Sequence, residues 1–157
     1  MPSSYLIQKS RRTKNFILIG DGFDELEVIY FLHQFRQAGL YIKSVSLFNK
    51  LVYSCKGVGL KADYSLADVP IEPLTAGLLI LPSGGLNGDA LRRDARVKSL
   101  LLSMNEGAGQ VVVTEGNSLL AEDVDRLVGQ RPLLRRLVDQ SLDEFVGSLT
   151  DRVIYAG

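Results

Sequence analysis

Short apolar runs alternate with stretches of helical periodicity along this chain. The runs at 16–19, 77–81 and 110–113 have the length and apolar character of strands that are buried on both faces of a sheet. Apolar residues within 24–38 and 96–104 recur at the spacing of one face of a helix. Strands that alternate with helices predict βαβ units with right-handed crossovers and a mainly parallel sheet.

Weaker patterns complete the predicted element order. They indicate a second strand at 42–47, a hairpin from 51–53 and 58–61, and a short helical turn at 63–69 that Pro70 and Pro73 close. Pro132 suits the first position of a helix over 132–147, and a short strand is predicted over 152–157. Residues 1–14 are polar and basic without periodicity, which predicts a flexible arm ahead of a single domain at 15–157.

Composition and charge exclude several classes of protein. A chain of 157 residues can bury a full core, and its 18 basic residues balance its 18 acidic ones, so net charge draws it to neither nucleic acid nor anionic lipid. No apolar stretch approaches the roughly 18 residues of a membrane span. The single cysteine excludes an internal disulfide, and the single histidine disfavours a histidine-built metal site or triad. We expect a cytoplasmic protein without a metal or cofactor.

Candidate chemistry lies where the predicted strands end, because ligands of open parallel sheets bind beyond the carboxyl ends of the strands. The three segments concerned are 20–27 (GDGFDELE), 82–85 (PSGG) and 114–116 (TEG). They bring a glutamate, a pair of glycines and a hydroxyl to one edge of the predicted sheet.

These segments together resemble the DJ-1/PfpI superfamily, whose fold is related to class I glutamine amidotransferases. GDGFDELEVIYFLHQFRQAG is similar to its first strand-to-helix passage, LLILPSGG to its strand ending in Pro-Gly-Gly, and QVVVTEGNSLLAE to its nucleophile elbow. The resemblance covers roughly residues 15–122 and implies a flavodoxin-like, three-layer α/β/α sandwich. It implies that Glu27 is the glutamate of the active site, and that Gly84 and Gly85 are the glycines whose amides help form an oxyanion hole.

The sequence departs from this family at the residues that carry its chemistry. Thr114 stands at the position of the nucleophilic cysteine if Gly116 matches the family's glycine, and a shift of one residue would place Val113 there instead. Neither residue has a thiol, and no histidine follows. A threonine hydroxyl ionises far less readily than a thiol and needs a base against it. The chain also ends where family members continue into another helix, which predicts a C-terminally shortened domain with exposed apolar surface.

Other reactive or charged residues receive structural assignments. His33 is predicted to be a core or interface residue of its helix, and Cys55 is either a packed side chain or a redox sensor. Gly84 and Gly85 could bind a small anion with their amides, with Glu115 beside them. Solvated surfaces are assigned to Arg92, Arg93, Asp123, Asp125, Arg135 and Arg136.

Three hypotheses of function follow. The first is a non-catalytic member of the family (a pseudoenzyme) that forms a homodimer, associates with a protein partner or binds a small anion. The second is a cysteine-independent lyase, hydratase or hydrolase that acts through Glu27 on a small carbonyl compound. The third is a redox or stress-response module that depends on Cys55.

Overall fold

A six-stranded sheet, parallel at every pairing, forms the centre of the computed structural model, which describes residues 13–68, 77–129 and 133–155. Its strand order is β5-β2-β1-β6-β7-β8, and a separate antiparallel hairpin pairs β3 with β4. The strands are β1 (Asn15–Ile19), β2 (Ile42–Ser46), β3 (Leu51–Tyr53), β4 (Gly59–Lys61), β5 (Tyr64–Ser65), β6 (Leu78–Leu81), β7 (Gln110–Val113) and β8 (Leu134–Arg135).

Helices cover both faces of this sheet. They are α1 (Glu25–Gln37), α2 (Asn87–Arg93), α3 (Ala95–Ser103) with a 3₁₀ turn at Met104–Glu106, α4 (Leu119–Val128) and α5 (Leu142–Tyr155). One buried cluster joins α1, α5 and the hairpin to the sheet, and a second joins α2, α3 and α4 to its other face. The predicted flavodoxin-like, three-layer sandwich is therefore confirmed.

The strands carry apolar side chains on both faces, which explains their unbroken apolar sequences. In β1, Ile17 and Ile19 belong to the cluster under α1 and α5, whereas Phe16 and Leu18 belong to the cluster under α2 to α4. Successive side chains of a strand point to opposite faces, so a strand between two helical layers must be apolar at every position.

The predicted segments at 24–38, 51–53, 58–61 and 96–104 match α1, the hairpin and α3 closely. The Asp24 side chain caps α1 by accepting a hydrogen bond from the N–H of Leu26. Helix α2 has no counterpart among the predicted elements, because its sequence shows little apolar periodicity.

The prediction of a helical turn at 63–69 is wrong for Tyr64 and Ser65. Tyr64 and Ser65 form the edge strand β5, which pairs with β2, and a turn follows at 66–68. The Asp63 carboxylate accepts a hydrogen bond from the N–H of Ser44 at 2.9 Å. This contact joins the segment to β2 and directs it into the sheet. The prolines 70 and 73 lie outside the described residues.

The predictions for the C-terminal region are also wrong. Within 132–147, Leu134 and Arg135 form β8, and the helix begins only at Leu142 and continues through Tyr155, where a strand was predicted. Leu137 and Val138, two apolar residues within that predicted helix, are 61% and 83% exposed. The chain pairs with β7 here because the N–H of Arg136 donates to the carbonyl of Val113 at 3.2 Å. Pro132 and residues 156–157 lie outside the described residues.

Helix α5 packs beside α1 and covers part of that face of the sheet. Its Phe145 ring packs edge-on against Phe31 of α1, with 6.5 Å between ring centroids. The Tyr30 hydroxyl of α1 donates a hydrogen bond to the Asp143 carboxylate. No helix in the described part of the chain combines the length and apolar character needed to span a membrane. Residues 1–12 of the predicted arm are not described.

A buried asparagine, Asn87, joins the two sides of the crevice between the ends of β1 and β6. The pairing of β1 with β6 is confined to Phe16 with Leu79 and Ile17 with Ile80. Beyond these pairs, the Asn87 side chain bridges the end of β1 and the loop that follows β6. Its Oδ1 accepts from the N–H of Gly20 at 2.6 Å, and its Nδ2 donates to the carbonyls of Leu18 and Pro82 at 3.2 and 2.7 Å. Asn87 thus fixes both walls of the site described next.

We expect Asn87→Ala to destabilise the fold strongly, because it leaves three buried backbone groups without a partner. Each such group costs about 1–3 kcal/mol, so the free energy of unfolding should fall by at least about 3 kcal/mol in urea denaturation. Asn105→Ala removes an exposed bond to the carbonyl of Leu127 and is the matched control. An equal, small loss in both variants would contradict the role of Asn87.

Candidate functional site

Glu27 is a buried carboxylate in the first turn of α1. Its position follows from the Asp24 cap, which starts the helix directly after the turn that ends β1. Only 7% of Glu27 is exposed, and its Oε1 accepts a hydrogen bond from the N–H of Gly84 at 3.1 Å. This contact joins α1 to the loop that follows β6.

Thr114 directly follows β7 and is also buried, with 2% of the residue exposed. Its Oγ1 accepts a hydrogen bond from the N–H of Ser83 at 2.8 Å, and its hydroxyl lies close enough to the Glu27 carboxylate to lower the pKa of that group. Val113, the other candidate for the cysteine position, packs instead in the cluster under α2 to α4. Of the two residues, Thr114 is therefore the one whose side chain meets Glu27.

The four groups form one connected network, called here the Glu27–Thr114 network. The N–H of Ser83 donates to Thr114, the N–H of Gly84 donates to the Glu27 carboxylate, and the Thr114 hydroxyl lies beside that carboxylate. It links the carboxyl ends of β6 and β7 to the start of α1. A buried polar network of this kind is stable only when each member has its partners.

Burial raises the pKa of Glu27 above its ordinary value of 4.5, because a carboxylate loses its hydration there. The hydrogen bonds from Gly84 and Thr114 lower this pKa, the Asp24 charge raises it, and the Arg136 charge lowers it, so that a net increase remains. Sequence reasoning had assigned Arg136 to a solvated surface. Strand β8 brings it close enough to act on Glu27.

Two glycines permit the close approach of the loop to α1. A Cβ at Gly84 would lie 2.8 Å from the Cβ of Asp24 and 3.0 Å from Oε1 of Glu27. Gly85 has a φ of +60° and a Cβ there would lie 2.3 Å from the carbonyl oxygen of Gly22. These glycines are required by steric contact and backbone conformation, whatever further role their amides have.

A cavity of about 300 Å³ lies beside the network, called here the β7 cavity. Its lining includes Ser83, Gly85, Asp89 and Glu115, and it includes neither Glu27 nor Thr114. The Oγ of Ser83 is buried and has no hydrogen-bond partner among the residues that the structure describes. Glu115, predicted as a binding residue, is exposed at this cavity. The β7 cavity therefore adjoins the predicted site without opening onto its buried carboxylate.

Sequence reasoning missed Ser83 and Asn87 as members of the site region. Ser83 takes part through its backbone N–H, which any residue would supply, so no sequence signal marks it. Asn87 carried a possible signal, since it follows a strand end by a few residues at the position where a ligand crevice is expected. Its importance depends on the splaying of β1 from β6, which is a property of the tertiary structure.

The remaining candidate residues lie outside this network. His33 is exposed on α1, so its assignment to the core is wrong, while an interface role stays a prediction. Cys55 is exposed, with its Sγ 3.9 Å from the Glu25 carboxylate, and its redox role also stays a prediction. Arg92 and Arg126 both pair with Asp123, and Arg135 pairs with Asp125. The described residues contain no group of three or more potential metal ligands.

The raised pKa of Glu27 makes stability depend on pH in a defined direction. Below pH 4.5 Glu27 is protonated in both the folded and the unfolded chain, and its contribution is fully present. As pH rises above this value the unfolded chain releases the proton first, so the contribution is lost up to the folded pKa. The wild type should therefore lose stability relative to Glu27→Gln over this window, as measured by urea denaturation at a series of pH values.

The same series for Glu115→Gln, which removes an exposed carboxylate, is the matched control. A wild type that gains stability relative to Glu27→Gln as pH rises would show that the Glu27 pKa is lowered, contrary to the burial argument.

Comparisons with known proteins agree with this fold. Drosophila melanogaster DJ-1beta shares 17% sequence identity, with a TM-score of 0.70 over 90% of each chain. A mutant of a Salmonella typhimurium DJ-1 superfamily protein shares 16%, with a TM-score of 0.69 over 90% of each chain. Schizosaccharomyces pombe DJ-1 shares 21%, with a TM-score of 0.59 over 71% of this chain and 62% of its own length. Identities this low establish a common fold alone.

No curated protein matches the sequence. The model of the DJ-1/PfpI family matches residues 13–127. Since this match spans well over half of the sequence, the chain belongs to the DJ-1/PfpI family.

Proposed function

We propose that this protein is a non-catalytic member of the DJ-1/PfpI family that acts by associating with a second copy of itself. The observation that carries the proposal is the state of the Thr114 hydroxyl. It accepts from the N–H of Ser83, lies beside the Glu27 carboxylate, and is buried. At the position that the resemblance gives to a nucleophilic cysteine, the hydroxyl thus has a structural role.

The chemistry of the network supports this view. A hydroxyl nucleophile needs a base that removes its proton, and the neighbouring base is a carboxyl group whose pKa is raised but which also holds Gly84 in place. Attack by Thr114 would break the contacts to Ser83 and Glu27 that join β6, β7 and α1. These contacts therefore stabilise the fold and oppose a role for Thr114 as a nucleophile.

Anion binding at the glycine loop receives less support than association. The N–H of Gly84, one of the two amides expected to bind an anion, donates to Glu27. The neighbouring β7 cavity has Asp89 and Glu115 in its lining, and its Arg92 is paired with Asp123. Anionic ligands are disfavoured where carboxylates outnumber available cations.

The surface of α1 supports association. Leu26 and Ile29 on this helix are 79% and 45% exposed. A groove of about 560 Å³ runs between α1 and β4, and Ile29, Leu32 and Leu60 give it apolar walls, with His33 and Arg36 beside them. Apolar residues grouped at a polar-rimmed groove are typical of interaction surfaces. A second copy offers the same groove and can bury both in a symmetric contact.

Ile29→Glu should convert an assembled protein to the monomer of 17.3 kDa, because it places a charge in the groove. We expect analytical ultracentrifugation to give about twice this mass for the wild type at micromolar concentrations. Leu102→Glu is the matched control, since Leu102 is similarly exposed, at 52%, on α3. It should leave the assembly intact.

A wild type that stays monomeric over this range would contradict self-association. An assembly that resists Ile29→Glu but is disrupted by Leu102→Glu would assign the contact to the other helical layer.

One observation favours a second candidate function, a cysteine-independent enzyme. Glu27 has a raised pKa suited to a general acid, and the unpaired Ser83 hydroxyl lies at a cavity next to it. A small carbonyl compound that entered the β7 cavity could receive a hydrogen bond from Ser83. Glu27 would have to become accessible through a movement of the loop at 82–85.

Turnover of a small 2-oxoaldehyde separates the two candidates. We expect none above the uncatalysed rate, in the wild type and in Thr114→Ser alike. Steady turnover that Glu27→Gln abolishes and Thr114→Ser retains would replace the non-catalytic proposal with the enzyme.

A further inference from the structure

A second cavity, of about 330 Å³, opens at the carboxyl ends of β1 and β2 and is called here the β2 cavity. It lies between α2 and the hairpin, on the opposite side of β1 from the Glu27–Thr114 network. Its lining includes Asp21, Phe48, Leu51, Ala90 and Arg93. Ligands of open parallel sheets bind at such strand ends, and this volume is at the lower limit of small-molecule sites.

The walls of the β2 cavity are fixed by hydrogen bonds. Asp21 accepts from the N–H of Tyr53 at 3.1 Å, and the N–H of Gly22 donates to the carbonyl of Tyr53 at 2.8 Å, which joins the hairpin to the end of β1. Arg96 donates to the carbonyl of Leu47 at 2.7 Å, which joins the end of β2 to α3. A cavity with fixed walls loses little conformational entropy when it binds a ligand.

Aromatic and aliphatic side chains at this cavity remain in solvent. Phe48 is 72% exposed and Leu51 is 52% exposed. The Arg96 guanidinium lies over the Phe48 ring, 4.7 Å from its centroid, and orients it. Phe48 and Leu51 offer a surface for a flat apolar group, and binding of such a group would remove both side chains from water.

Two charged groups at the β2 cavity are available to a ligand, the Arg93 guanidinium and the Asp21 carboxylate. Asp94 is paired with Arg96 at 2.8 Å, and this contact lowers the pKa of Asp94. The exposed Arg93 side chain has no ion-pair partner among the described residues, whereas the neighbouring Arg92 is paired with Asp123. A guanidinium of this kind binds carboxylates and phosphates with two parallel hydrogen bonds.

We propose that the β2 cavity binds a small aromatic anion, with its ring against Phe48 and Leu51 and its carboxylate or phosphate at Arg93. Asp21 can accept a hydrogen bond from a donor on the same ligand. The proposal does not depend on whether Glu27 is catalytic, because the two sites have no lining residue in common. A nucleotide and a simple aromatic acid share this chemistry.

Titration calorimetry with adenosine 5′-monophosphate and with indole-3-carboxylate tests the proposal, with adenosine and indole as uncharged counterparts. We expect at least one anion to bind more tightly than its counterpart. Arg93→Gln should weaken this binding by at least about tenfold, since it removes a charge-assisted hydrogen bond. Phe48→Ala should weaken it for the charged and uncharged probes alike.

Lys98→Gln is the matched control, because it makes the same change in net charge at an exposed residue outside the lining. It should leave the affinity within about twofold of the wild type. Binding of the nucleotide alone identifies a nucleotide site, and binding of the indole acid alone identifies an aromatic-acid site. Both results support the proposal.

Failure of both anions to bind the wild type up to their solubility would overturn the proposal. So would binding that Arg93→Gln leaves unchanged, or weakens no more than Lys98→Gln does. An affinity that Glu27→Gln abolishes and Arg93→Gln does not would assign the ligand to the other side of β1.

Discussion

The contacts that hold the Glu27 carboxylate determine how the loop after β6 and the end of β7 meet α1. A buried carboxylate is costly without partners, and here the N–H of Gly84 donates to it and the hydroxyl of Thr114 lies beside it. Each partner comes from a different strand end, so satisfying one side chain fixes the loop after β6 and the end of β7 against α1. The glycine loop can approach closely because neither glycine carries a Cβ. Stability and site geometry therefore depend on the same contacts.

Much of the fold could be predicted from the sequence because the core strands are buried on both faces. Runs such as 16–19 and 77–81 are apolar at every position, which few other structures require. The errors occurred where tertiary contacts outweigh local pattern. The hydrogen bond between Asp63 and Ser44 places a short segment in the sheet. Leu134 and Arg135 pair with β7 as an edge strand. One signal was overlooked, since Ser141 caps α5 through the N–H of Glu144 and so marks its start.

The site could be predicted in part. The order of the strand ends brought Glu27, Gly84 and Thr114 to one edge, and the structure joins all three in one network. The roles of Ser83 and Arg136 could not be predicted. Ser83 acts through its backbone, and Arg136 follows β8, a strand that the sequence does not predict. The β2 cavity was missed for a similar reason. Its lining comes from the ends of β1 and β2, the hairpin and the end of α2, and of these only the end of β1 belongs to a segment that the sequence singles out.

The central claim is that Glu27 and Thr114 stabilise each other within a structural network. A double-mutant cycle of Glu27→Leu, Thr114→Val and the double variant measures this directly through the free energy of unfolding at neutral pH. The account predicts a coupling energy of at least about 1 kcal/mol, because the two buried side chains interact directly. Single-variant effects that add to within about 0.5 kcal/mol would contradict it.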